Sequence, residues 1–152
     1  METSYYISIA IKKFLDERGM KSYHLALASG CNKTAVNSWL YQRQEPSSQA
    51  LMRLADYMNV SLDYMLGRTK NKSIILTGTP DKFGRRLFSI PLPEGMSYYK
   101  LAHICGMGTS GLSKWRDLKR VPKLDVLIKL ADYFGCSVDY LVGRTNIPYM
   151  AE

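Results

Sequence analysis

LADYMNVSLDYMLGRT, residues 54–69, returns as LADYFGCSVDYLVGRT at residues 130–145. The two strings stand 76 residues apart, and the match runs upstream without a gap until Gly19–Thr69 lies over Gly95–Thr145. Nineteen of those 51 positions are identical, among them Trp39/Trp115 and Pro46/Pro122. Both copies close on Ser-x-Asp-Tyr-x-x-Gly-Arg-Thr, at 61–69 and 137–145. Ungapped identity of this kind means two copies of one domain, so each copy can be read against the other. The period is too long, and the copies too few, for a solenoid.

The repeat divides the 152 residues into a first domain at 1–69, a linker at 70–78 and a second domain at 79–152. Domains near this size are marginally stable alone, so the copies are expected to pack together or to oligomerise. No apolar run reaches the roughly 18 residues of a membrane span, so no membrane partner is expected. The N-terminus lacks the pattern of a secretory signal. Cys31, Cys105 and Cys136 are odd in number and unrelated in spacing. They read as buried small hydrophobes of a reducing cytoplasm. There is no Cys/His cluster of metal spacing, no nucleophile beside a base, no phosphate-cradling glycine loop and no pair of acids. Hence no metal, cofactor or catalysis is expected. His24 and His103 have no ligand partners nearby in sequence and read as surface or half-buried residues.

The net charge is +8. Residues 1–69 carry eight Lys/Arg against six Asp/Glu, whereas residues 70–152 carry thirteen against seven. A basic balance favours a polyanionic partner, and the second half should supply more of that attraction.

Periodicity predicts helices only. Ile7, Ala10, Ile11 and Phe14 repeat at helical spacing and predict a first helix of about three turns, stopped by Gly19. Leu25, Ala26 and Ala28 predict a short second helix ending at Gly30, a residue that enters the left-handed conformation cheaply. Asn32 caps a third helix through Leu40, Pro46-Ser47-Ser48 opens a fourth, and Ser61 caps a fifth that ends at Gly67. In the second copy Thr79-Pro80 marks the start, and Phe83, Leu87 and Ile90 match Ile7, Ile11 and Phe14. Pro91 and Pro93 should end that helix about a turn early. The apolar run Ile74-Ile75-Leu76 in the linker is expected to pack onto one or both domains. The repeated tyrosines, Tyr57/Tyr133 and Tyr64/Tyr140, are expected in the core or at an interface rather than stacked on bases.

The segment that carries chemistry is two short helices joined by a tight turn, Ser22–Gln42 in the first copy and Tyr98–Leu118 in the second. Small Ala26 or Ala102 lets the helices approach, and Gly30 or Gly106 makes the turn. Val36 and Trp39, or Leu112 and Trp115, bury one side of the second helix. Its other side is left for a major groove, which is wide enough for one helix.

On these residues both copies resemble the lambda-repressor-like (XRE, or Cro/repressor) DNA-binding domain. The matching features are Leu25-Ala26-x-x-x-Gly30, the Trp39 position, Pro46, and Leu-Ala-Asp-Tyr leading into Ser-x-Asp-Tyr-x-x-Gly-Arg-Thr. The likeness covers about residues 7–69 and 83–145. It implies an all-α chain of two tandem five-helix domains, a bacterial or phage-type cytoplasmic regulator. It also implies base readers at the start of each third helix: Lys33, Thr34, Asn37 and Ser38, and then Thr109, Ser110, Ser113 and Lys114. Lys can bond guanine O6 or N7, Asn can pair with adenine, and Thr or Ser suits several bases. Phosphate contacts would come from Ser22, Asn32, Gln42 and Arg43, and from Tyr98, Arg116, Lys119, Arg120 and Lys123. The second set is the more basic and should grip backbone better. Gly108 is only a fair cap, and Gly111 inside the reading helix costs about 1 kcal/mol relative to Ala. Copy two is therefore expected to clamp more strongly and read less well.

The partner implied is double-stranded DNA, bound by a transcriptional regulator, most simply a repressor by occlusion. Simple members of that family bind as two-fold dimers, and this chain carries both heads itself. A homodimer stays open, as does a rival in which copy two holds a protein partner, as an antitoxin-like adaptor or inhibitor would.

Overall fold

The computed structural model describes residues 2–77, 83–106 and 121–150. All of its described regular structure is helical. The chain divides into two compact units, the first running through Ile74 and the second from Ile75 to Met150.

In the first unit α1 is Glu2–Arg18, α2 Ser22–Ser29, α3 Lys33–Leu40, α4 Ser48–Met58 and α5 Leu62–Met65. Helix α1 packs against α3 and α5, α2 against α3 and α4, and α4 against α5. Their shared core contains Ile7, Ile11, Leu25, Leu51, Leu54, Leu62 and Met65, all fully buried. At 17 residues, α1 is nearly five turns long and exceeds the three that periodicity predicts. The extra turns lie at its N-terminal end, where the Tyr6 ring packs against the backbone of Gly67, just after α5. That docking is invisible to local pattern.

In the second unit the described helices are α6 Phe83–Ser89, α7 Tyr98–Ile104, α8 Leu124–Phe134 and α9 Val138–Leu141. The start signal Thr79-Pro80 lies outside the described residues. Its core repeats the first by position: Leu87 for Ile11, Leu101 for Leu25, Leu127 for Leu51, Leu130 for Leu54 and Leu141 for Met65. Helix α6 stops at Ser89, whereas α1 runs to Arg18, the counterpart of Glu94. Pro91 and Pro93 account for the difference, because each removes an amide donor and bars the residue before it from helical geometry.

The nine-residue motif that closes each copy is a folding device. Ser61 Oγ accepts from Tyr64 N at 2.9 Å, and Ser137 Oγ from Tyr140 N at 2.9 Å, so each serine caps the helix it precedes. Asp63 pairs with Arg68, and Asp139 with Arg144, each aspartate being almost fully buried. Gly67 takes φ +77° and Gly143 φ +83°, which turns the chain so that the arginine folds back. The segment that follows then returns: Ser61 N donates to Lys72 O at 3.0 Å, and Ser137 N to Pro148 O at 2.8 Å.

One expectation needs correction. Ile75 and Leu76 are 66% and 56% exposed, so the apolar run is not packed onto a domain at those two positions. The segment is held by polar groups instead, Lys72 O at one end and Thr77 Oγ1, which accepts from Asn146 N at 2.6 Å, at the other. Of the repeated tyrosines expected in the core or at an interface, Tyr64 and Tyr140 are half-buried and Tyr57 and Tyr133 are more exposed, Tyr57 packing edge-on against Phe14. Of the three cysteines, Cys105 and Cys136 are buried and Cys31 is half-buried, all as free thiols.

Candidate nucleic-acid interface

Helix α2 ends at Gly30, whose φ of +75° lets Cys31 N bond back to Ala26 O at 2.9 Å. The chain reverses there and α3 starts at once. The Asn32 side chain accepts from Thr34 N at 2.9 Å and Ala35 N at 3.3 Å, so two amides of the first turn are satisfied. Val36 and Trp39 fix the rotation of α3 by burying its inner side. Lys33, Thr34, Asn37 and Ser38 are spaced i, i+1, i+4 and i+5 and therefore share the opposite strip. Lys33 and Thr34 are exposed; Asn37 and Ser38 are half-buried. One short helix thus brings all four expected readers of copy one together.

The far end of α3 closes through a non-glycine residue in the left-handed region. Gln42 has φ +58°, Gln42 N bonds Trp39 O at 3.2 Å, and Arg43 N bonds Ser38 O at 2.8 Å. Such a conformation costs an L-residue about 1 kcal/mol or more, and the two bonds to the last turn offset it. Gln42 and Arg43 are exposed just past the helix, and Ser22 is half-buried at the first position of α2. Lys33 Nζ lies 5.6 Å from the centre of the Tyr23 ring, and Arg43 Cζ lies 5.4 Å from the centre of the Tyr41 ring. Sequence reasoning passed over both tyrosines. The identity of Tyr23 with Tyr99 was the one available signal, and it does not show which side chain the ring meets.

In copy two Thr109, Ser110, Ser113, Lys114, Arg116, Lys119 and Arg120 lie outside the described residues, as do Gly108 and Gly111. Tyr98 and Lys123 are described. The Tyr98 hydroxyl lies 3.0 Å from Ile90 O and 3.2 Å from Leu87 O, and its ring packs edge-on against Phe88. Burial holds its pKa above the ordinary tyrosine value. Its single proton serves the end of α6, so a phosphate would have to compete with those carbonyls for it. Lys123 is exposed at the N-cap of α8.

Among the described residues no helix is long and apolar enough to cross a membrane, and no group of three His, Cys, Asp or Glu residues could hold a metal ion. His24 and His103 are exposed.

The Helix-turn-helix family model matches residues 11–65 and again residues 92–141. No curated protein and no solved structure matches the chain significantly. The two family matches fall on the two compact units, each includes a helix-turn-helix segment, and together they cover more than half of the residues. The chain belongs to the lambda-repressor-like helix-turn-helix family of DNA-binding regulators and carries two tandem copies of its domain.

Proposed function

We propose that the chain is a sequence-specific regulator of transcription that binds duplex DNA through both copies and represses by occlusion. The observation that carries this reading is the strip Lys33, Thr34, Asn37 and Ser38 on a helix whose other side is locked by Val36 and Trp39. The strip offers a cation, an amide and two hydroxyls, a set able to discriminate base edges. Asn32, Gln42 and Arg43, with Ser22, flank it where phosphates would pass. In copy two Thr109, Ser110, Ser113 and Lys114 take the reading role by position, and Arg116, Lys119, Arg120 and Lys123 the clamping role. The two strips differ at every aligned position, so one chain acts as an asymmetric pair of heads and prefers two unlike half-sites.

The test is selection of bound sites from a random duplex library, followed by competition with Lys33→Ala and Asn37→Ala. Each variant should relax preference at one half-site by about 1–3 kcal/mol for the favoured base. Absence of any salt-dependent shift of duplex DNA would reject the reading and favour the adaptor, which the glycines at 108 and 111 motivate.

A further inference from the structure

We propose that Tyr23 and Tyr41 are positioning residues of the copy-one DNA interface, each holding on its ring face the cation at one end of α3. The proposal rests on the DNA-binding reading above and adds to it two residues outside the reading strip. A cation lies over a tyrosine ring at each end. Lys33 is the first residue of α3, and its ammonium sits 5.6 Å from the Tyr23 ring centre, across the turn on α2. Arg43 follows the left-handed Gln42, and its guanidinium sits 5.4 Å from the Tyr41 ring centre. Both distances fall within the roughly 6 Å over which a cation is attracted by the negative face of an aromatic ring.

Neither tyrosine is where it is for the core. Tyr23, beside the first residue of α3, is 45% exposed, and Tyr41, at the C-cap of that helix, is 61% exposed. Among the described residues neither Lys33 nor Arg43 forms an ion pair with a carboxylate, so the rings are what hold them. The centres of the His24 and Tyr23 rings lie 3.9 Å apart. A free lysine or arginine loses rotamer freedom when DNA fixes it, and that loss subtracts from affinity. A ring that already holds the cation removes part of the loss. For these cations a ring is a better choice of partner than an acid, because an ion pair would neutralise the charge meant for the polyanion.

Copy two carries Tyr99, 60% exposed, at the place of Tyr23. By sequence, however, Thr109 stands for Lys33 and Asp117 for Tyr41. The paired arrangement therefore belongs to copy one, the copy assigned the better reading.

The experiment uses the full chain and its selected operator, with titrations followed by fluorescence anisotropy. The variants are Tyr23→Phe, Tyr23→Leu, Tyr41→Phe and Tyr41→Leu, beside Lys33→Ala and Arg43→Ala. Each Leu variant should weaken binding roughly two- to fivefold, and each Phe variant should bind like the parent, because Phe keeps the ring face. Tyr23→Leu should relax the base preference that Lys33→Ala relaxes, and adding it to Lys33→Ala should cost nothing more. Tyr41→Leu should weaken all sequences alike. A merely structural role would lower the melting temperature without that non-additivity. Leu variants that bind like the parent while Lys33→Ala and Arg43→Ala weaken binding would overturn the proposal and leave the DNA reading intact. Phe variants as weak as the Leu variants would assign the effect to the hydroxyls and also overturn it. If the parent binds no duplex, the DNA reading fails and takes the proposal with it.

Discussion

Arg86 Cζ lies 4.1 Å from the centre of the Tyr140 ring, and the same guanidinium donates to Tyr140 O at 2.8 Å, Thr145 O at 3.0 Å and Asn146 Oδ1 at 2.7 Å. One buried side chain thus ties α6 to the segment that follows α9. Its counterpart in copy one is Ala10. There α1 runs on to Arg18, and the ring of Tyr6 packs against Gly67 instead. The two copies hold the chain beyond the last helix by different contacts, a tyrosine ring on Gly67 in one and an arginine fork in the other.

Arg86→Ala should therefore destabilise the second unit. It removes donors from Thr145 O and Asn146 in a buried corner, at a cost of about 1–3 kcal/mol. Arg86→Lys should recover only part, since a point ammonium cannot reproduce a planar fork. Urea unfolding followed by circular dichroism measures both, and an unchanged midpoint for Arg86→Ala would remove the tie from the account.

The repeated Asp–Arg pairs make a second prediction. The Asp63 side chain is 1% exposed and that of Arg68 13%. Asp139→Asn removes the charge facing the buried Arg144 guanidinium and should cost about 3–5 kcal/mol; Asp63→Asn, facing the half-buried Arg68, should cost less. The loss should appear in the melting curve. Affinity for the operator, measured well below the melt, should hold, because neither pair lies on the reading strip.

Two hydrogen bonds anchor the connecting segment. Lys72 O is bonded to the first unit and Thr77 Oγ1 to the second, which leaves residues 73–76 between the two anchors. From Lys72 to Thr77 the chain reaches at most about 18 Å. The protein should accept a narrow range of half-site spacings, and four Gly/Ser residues inserted after Ser73 should broaden it. Selection on operators with graded spacers reads this directly; equal affinity of the parent for every spacer would contradict it.

Tyr98 gives a pH dependence. Burial raises its pKa above the ordinary value near 10. The folded state then keeps the neutral phenol longer than the unfolded chain does. Its stabilising contribution is complete below about pH 10 and is lost as pH rises through the folded value. Tyr98→Phe should flatten the alkaline fall of stability in the second unit. Identical slopes for parent and variant between neutral and strongly alkaline pH would refute the assignment.

Much of this was legible residue by residue. Asn32, Ser61 and Ser137 are caps because a short polar side chain reaches an amide two or three positions on, and such a reach is written in local order. The early end of α6 was legible in Pro91 for the same reason. The residues Lys33, Thr34, Asn37 and Ser38 were named through the resemblance to the lambda-repressor-like domain, and burial of Val36 and Trp39 puts them on the opposite side of α3. The extra length of α1 was not legible, because Tyr6 meets Gly67 across the fold. Nor was the exposure of Ile75 and Leu76, because polar bonds at Lys72 and Thr77 hold the segment that apolar packing was expected to hold.

By itself the sequence determined the two copies, the described helices and caps such as Asn32 and Ser61, since helices and caps rest on interactions within a turn or two of chain. Only the tertiary structure decided what each long polar side chain touches. Arg86 meets Thr145 across 59 residues, and Lys33 meets Tyr23 across a turn between two helices. Long flexible side chains find partners through space, and packing of the whole domain sets which partners come within reach.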